Sequence, residues 1–187
     1  KKRNGQQPVE SFLGELHGKM EFIKQLLLIF LHEMRYAKKG RRLGKRVPTT
    51  RFQGLEVRGK MLNFSSPEVV RQTPDLLIYI FEESARLELP LSIEARRWVK
   101  FFLYLVDDEF RNSDAAIRSF ERVLTTPTPT FNVLNEMLNT VFLGAFIPEF
   151  KGIANRIQYD EYHVYPVDRY LLRTVQTLKE FGSSGDK

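Results

Sequence analysis

The stretch "QYDEYHVYPVDRYLLRTV", residues 158–175, brings His163, Asp160, Glu161 and Asp168 together with four tyrosines. Carboxylates and an imidazole at such density are the groups that bind divalent ions and move protons. A second acidic group, Asp107, Asp108 and Glu109, has the composition of a magnesium site. Consecutive helical residues point about 100° apart, however, so these three diverge and are expected to form the polar end of a buried helix. Asp75, and Glu82 with Glu83, read the same way. His17 and His32 are fifteen residues apart, about four helical turns, and cannot share an ion without a third element. Both are expected to be surface or boundary histidines. For His163, flanked by Tyr162 and Tyr165, a buried polar network fixing the approach to the last helix is favoured over metal binding.

The chain has no cysteine, which excludes disulfides, thiolate metal sites and cysteine nucleophiles. A phosphate-binding Walker loop, a GxSxG elbow, an HExxH pair and a dinucleotide-binding fingerprint are all missing from the sequence. The closing "GSSGDK" reads as a flexible tail. The expectation is therefore no catalytic, cofactor-binding or metal-binding residue in this chain.

The elements that would position these groups are mostly helical. Between Pro8 and Lys39, Phe12, Leu13, Leu16, Met20, Ile23, Leu27, Phe30, Leu31 and Met34 recur at spacings of three and four, which predicts a long amphipathic helix. Gly14 and Gly18 predict a break or bend near its start. Residues 51–64 predict a small β-hairpin, with Phe52, Leu55 and Val57 near period two and the Arg58–Gly59 pair as its turn. Ser66 and Thr73, each ahead of a proline, predict capped helix starts, the second helix covering about 74–88. Ser92 opens a segment through Asn112 with little polar circumference, predicted as one central helix. Further helices are predicted over about Ser113–Leu124 and 130–142, joined by the stiff "TTPTPT" connector, and Pro148 and Pro166 predict two more helix starts. Together these define an all-α class, a multi-helix bundle with one small hairpin at about 51–64.

Residues 1–46 hold twelve Lys/Arg against four Glu, a balance of +8, and the remainder at −2 brings the net charge to +6. Six of these charges lie in "KKGRRLGKR", 38–46, read as a solvated loop in preference to a phosphate-binding strip. The longest apolar run, Leu26–Leu31, falls far short of the ~20 residues that cross a bilayer, and no cleavable leader precedes it. A cytoplasmic protein with no membrane partner is expected.

Three segments resemble one known family, the bacterial PII-protein uridylyltransferase/uridylyl-removing enzymes: "RFQGLEVRGKMLNFSSPEVV" at 51–70, "LPLSIEARRWVKFFLYLVDDEFRNS" at 89–113 and "IPEFKGIANRIQYDEYHVYPVDRYLLRTVQTLKEF" at 147–181. The resemblance covers most of 50–181. It implies a protein whose chain passes from a nucleotidyltransferase domain through a helical region into an HD-type phosphohydrolase domain. It also implies that the whole enzyme transfers UMP from UTP to a tyrosine of PII and removes it again with magnesium or manganese, in nitrogen regulation. The family's first HD-domain metal histidine sits two residues after the aspartate of Val167–Asp168, and here that position is Tyr170, a poor ligand by comparison. The chain holds no His-Asp dipeptide and no nucleotidyltransferase Gly-Ser loop.

On this reading residues 1–46 form a basic helix and loop, 47–162 a helical domain with the hairpin, and 163–187 the start of an HD-like segment and a tail. The implied role is a non-catalytic linker or regulatory region, with the flanking nucleotidyltransferase and HD domains as partners and PII as a further one. Two alternatives stand beside it. One is a basic nucleic-acid-binding module of an RNA nucleotidyltransferase-like protein, disfavoured because no aromatic residue is interleaved with the basic ones between 37 and 51. The other is a degenerate domain that senses a small ligand.

Overall fold

A computed structural model describes residues 8–38, 48–128, 132–153 and 166–184. The basic loop at 39–46 and the cluster of Asp160, Tyr162, His163 and Tyr165 lie outside the described residues. The fold is all-α with one small two-stranded sheet, the class expected from the sequence.

Helix α1 (Pro8–Lys38) is a single unbroken helix, so of the break or bend expected near Gly14 and Gly18 the break does not occur. Strands β1 (Leu55–Arg58) and β2 (Met61–Phe64) then form the antiparallel hairpin, Leu55 opposite Phe64 and Arg58 opposite Met61. Its turn is Gly59–Lys60, one residue later than the sequence reading placed it. Both residues have positive φ, 57° and 65°, which suits the two-residue turn whose twist matches the strands. The hairpin does not stand alone. The Leu62 N–H donates to the Pro90 carbonyl at 2.9 Å, and the Ser92 N–H donates to the Leu62 carbonyl at 3.0 Å, adding a short parallel bridge. Just before β1, Gly54 has φ +96°, and a Cβ there would come within 2.5 Å of Val69 Cγ1, so only glycine fits.

Helix α2 (Pro67–Gln72) has Pro67 in its first turn, but the Ser66 side chain does not cap it. Helix α3 (Leu76–Leu87) starts after a turn in which the Leu76 N–H donates to the Thr73 carbonyl, and its cap position is Asp75, so Thr73 is not the cap that was expected. α3 is the centre of the fold. Leu76–Ile78 and Ile80–Ala85 are all buried, and the helix packs against β2 and the later helices α6 (Asp114–Thr125) and α7 (Val133–Asn139).

The segment read as one central helix is divided into α4 (Ile93–Phe101), a 3₁₀ turn (Leu103–Leu105) and α5 (Asp108–Asn112). Asp107 causes the restart: its backbone is extended and its carboxylate accepts the Phe110 N–H at 2.9 Å. Asp107, Asp108 and Glu109 are thus a cap and first turn, where negative charge suits the helix dipole, rather than the end of a buried helix. Because each short piece turns a different side inward, Phe101 and Tyr104 remain exposed.

Ser92 caps α4 as the sequence suggested. Its hydroxyl accepts the Ala95 N–H at 3.0 Å and donates to Asn63 Oδ1 on β2 at 2.5 Å. Ser92→Ala is expected to cost about 1–2.5 kcal/mol, the cap plus a buried amide oxygen left without its donor, read as a lower urea midpoint at unchanged slope.

Ser113 caps α6 through the Ala116 N–H. The helix expected over 130–142 is cut at Val141, whose φ of 64° turns the chain into α8 (Phe142–Phe146). Pro148 opens a 3₁₀ turn (Pro148–Gly152), and Pro166 precedes α9 (Val167–Ser184). α9 continues through Gly182–Ser184, part of the stretch read as a tail. No helix among the described residues is long and apolar enough to cross a membrane.

Candidate functional site

The charged side chains of the bundle are organised around two helices, α3 and α7. On α3, Glu82 and Glu83 are 2% and 0% exposed. Glu83 is bound by Arg51 (Nε to Oε1, 2.7 Å, and backbone N–H to Oε2, 3.1 Å) and by both guanidinium arms of Arg86. Glu82 accepts from Arg51 Nη2 at 2.7 Å, from the Ser119 hydroxyl at 2.7 Å and from Arg122 Nη1 at 3.2 Å. Adjacent helical carboxylates diverge, and here both directions are answered by arginine. Burial alone would raise the Glu83 carboxyl, but the bonds from Arg86 and Arg51 outweigh it and hold it below its ordinary value. The network ties the segment before the hairpin, α3 and α6 together, and leaves neither carboxylate free for a metal.

On α7, Asn135 and Asn139 lie one turn apart, with Glu136 beside them. Arg169, in the first turn of α9, spreads across both amides: Nη1 donates to Asn135 Oδ1 at 3.0 Å and Nη2 to Asn139 Oδ1 at 2.7 Å. Glu136 accepts from Arg96 of α4 at 2.5 Å inside the bundle. Burial pushes its carboxyl up, against the opposing pull of Arg96 and Arg169. Further along α9, Asn132 Nδ2 donates to the Leu172 carbonyl at 3.2 Å, Gln176 Nε2 to the Thr128 carbonyl at 3.1 Å, and Lys179 Nζ to the Val123 carbonyl at 2.8 Å. Leu172 is buried in the core and Val175 packs against it. α9 is therefore seated on α6 and α7 along three turns.

These contacts decide where the sequence candidates stand. Asp168 is fully buried, and its Oδ1 accepts the N–H of Arg169 at 2.7 Å. Tyr170, two residues on, is 55% exposed. An inward acid and an outward phenol do not converge on one ion. Among the described residues, no three His, Cys, Asp or Glu side chains gather as a metal set. His17, inside α1, is half-buried. A cleft of about 630 Å³ opens between the hairpin and α4, lined by Arg58, Asn63, Ser92, Glu94, Arg97 and Trp98 among others. The residues that sequence reasoning passed over are Asn135, Glu136, Asn139 and Arg169. Their signal was the repeat of asparagine at helical spacing, which marks one polar face.

Arg169→Ala should remove two charge-assisted bonds at the head of α9, each worth ~1.5 kcal/mol at the low end. The expected result is about 100-fold faster amide exchange in α9 with α3 unchanged, measured by hydrogen–deuterium exchange.

Among the described residues, Glu82 joins α3 to α6, Glu136 joins α7 to α4, and Arg169 joins α9 to α7. No family model matches the chain, and no solved structure matches it. Among curated proteins, the bifunctional uridylyltransferase/uridylyl-removing enzyme of Ruegeria pomeroyi (strain ATCC 700808 / DSM 15171 / DSS-3) is 31% identical over 182 residues, which is 95% of this chain and 20% of that protein. That similarity supports the family of bifunctional uridylyltransferase/uridylyl-removing enzymes, with this chain as a partial region: it spans about a fifth of the length of the relative it matches.

Proposed function

We propose that this chain is a non-catalytic helical linker and regulatory region of a uridylyltransferase-like protein in the cytoplasm, holding a nucleotidyltransferase module and an HD-type phosphohydrolase module in fixed relation. The whole protein would act on PII in nitrogen regulation, with UTP and magnesium or manganese used by the flanking modules. The observation that carries the reading is the seating of α9. By resemblance this helix begins the HD-like segment, and Arg169, Gln176 and Lys179 fasten it to α6, α7 and the chain between them. A rigid seat at that point transmits position from one module to the next without chemistry of its own. Isothermal titration of the chain with manganese and with UTP is expected to give no stoichiometric heat; a tight one-to-one site for either would overturn the proposal.

The cleft beside Trp98 favours a second reading, a domain that senses a small ligand. It predicts a rise in melting temperature with UTP, glutamine or 2-oxoglutarate, and no rise with any of them counts against it.

A further inference from the structure

α1 is the one long element whose apolar residues the rest of the described chain leaves largely uncovered. Met20, Ile23, Leu27 and Phe30 are 61%, 63%, 54% and 56% exposed. The pattern of these residues is more regular than an ordinary amphipathic face. From Val9 the apolar positions advance in alternating steps of four and three, without a break, to Met34. That is the seam of a coiled coil, held for more than three heptads. The seam also points away from the bundle. Phe22, over whose ring Lys100 Nζ of α4 sits at 5.5 Å, lies about 130° around the helix from the line between Met20 and Ile23. Gly18, half-buried, lies opposite the seam, and Gly14, buried, is on the same rear half.

The occupant follows from symmetry, charge and area. The seam positions are symmetric about the midpoint between residues 21 and 22, so a twofold axis there sets Met20 against Ile23 of a second copy and Leu16 against Leu27. Every seam residue then meets another seam residue. A parallel pair in register would instead bring Lys19 of each copy beside Lys24 of the other, like charges at the flanking positions that select partners. The antiparallel pair places Lys19 beside Leu26, where its stem covers apolar surface. Setting Phe22 aside, ten large apolar side chains of α1 are more than 40% exposed. At roughly 80 Å² each they offer ~800 Å² per copy, the size of a standard specific interface. We propose that α1 is a self-association surface, on which two copies of this chain pair as an antiparallel two-stranded coiled coil. This inference does not rest on the linker reading.

Sedimentation equilibrium of the chain at about 1–100 μM tests it. A concentration-dependent dimer is expected. The double variant Ile23→Glu with Leu27→Glu should weaken it more than about 100-fold, because each charge would be buried in the seam. Both side chains are exposed in the single copy, so the variant should keep the cooperative unfolding of the bundle. The absence of cysteine makes orientation measurable. Leu16→Cys and Leu27→Cys chains should form disulfides when mixed but not separately, since like positions lie about 16 Å apart along the antiparallel axis, beyond disulfide reach. A monomer at 100 μM, a dimer that survives the double variant, or Leu16→Cys cross-linking to itself would each overturn the proposal.

Discussion

Phe142→Ala is expected to lower the unfolding free energy by about 3–5 kcal/mol, the largest effect of any single substitution considered. Phe142 is fully buried at the start of α8. Its ring meets Phe81 of α3 at 5.0 Å, Phe146 at 5.8 Å in a stacked arrangement and Phe110 of α5 edge-on at 6.4 Å. One aromatic side chain thus closes the contact between α3, α5 and α8. Truncating it removes both the transferred area and the ring contacts, and helices on three sides limit how far the cavity can collapse. Urea unfolding followed by far-UV circular dichroism should show a lower midpoint at unchanged slope. Phe101→Ala, on a 64% exposed side chain, should cost well under ~1 kcal/mol and serves as the control.

The second large effect concerns the buried carboxylates of α3. Glu83→Ala strips Arg51 and Arg86 of their shared acceptor. The side chains of these arginines are 48% and 34% exposed, so water can solvate what is left behind. The cost should therefore fall at ~2–3 kcal/mol, below the range for a fully enclosed pair. The pH dependence carries the sign of the shift. The Glu83 carboxyl is held below its unfolded value, so its stabilisation is fully present above about pH 4.5 and is lost as pH falls through the folded value. Glu136 runs the other way: its folded value is raised, so the native state favours its protonated form and stability is lost as pH rises from about 4.5 through the folded value. The two partly cancel in the wild-type chain. In Glu83→Gln the first contribution is gone, so the stability gap between the variant and wild type should be widest near neutral pH and shrink below about pH 4.

Much of the fold was legible because the signals were local. The three-and-four spacing gave α1 almost to the residue. Ser92 and Ser113 announced α4 and α6 by side-chain oxygens that cap within three residues, and Pro166 marked the start of α9. The failures also have local causes. Asp107 offered its carboxylate to Phe110 N–H and restarted a helix inside an apolar run that looked continuous. Val141 took a left-handed conformation that β-branched residues rarely adopt, dividing α7 from α8 where nothing in the hydrophobic pattern falters. Ser66 and Thr73 had the right chemistry in the right place, but Ser66 makes no cap bond to α2, and α3 begins after a turn at Thr73–Asp75 that satisfies its first backbone groups.

The junction on α7 was less legible than the fold, since it depends on which helices meet. Asn135 and Asn139 could be read as one face, but not as the face that α9 would need. Arg169 stands beside the more conspicuous Asp168 and Tyr170, and it is Arg169 that reaches across to the bundle. Residue chemistry alone points to the acid and the phenol, whereas the contacts favour the cation between them.

Hydrogen–deuterium exchange resolved by residue along α9 tests the central claim most directly, because a helix of this length on its own is marginal in water. If α9 is seated on α6 and α7, amides from Leu172 to Lys179 should exchange no faster than within about tenfold of those in α3, opening only with the bundle. If they exchange within seconds while α3 stays protected for hours, α9 is not seated, and this region does not hold a following module in place.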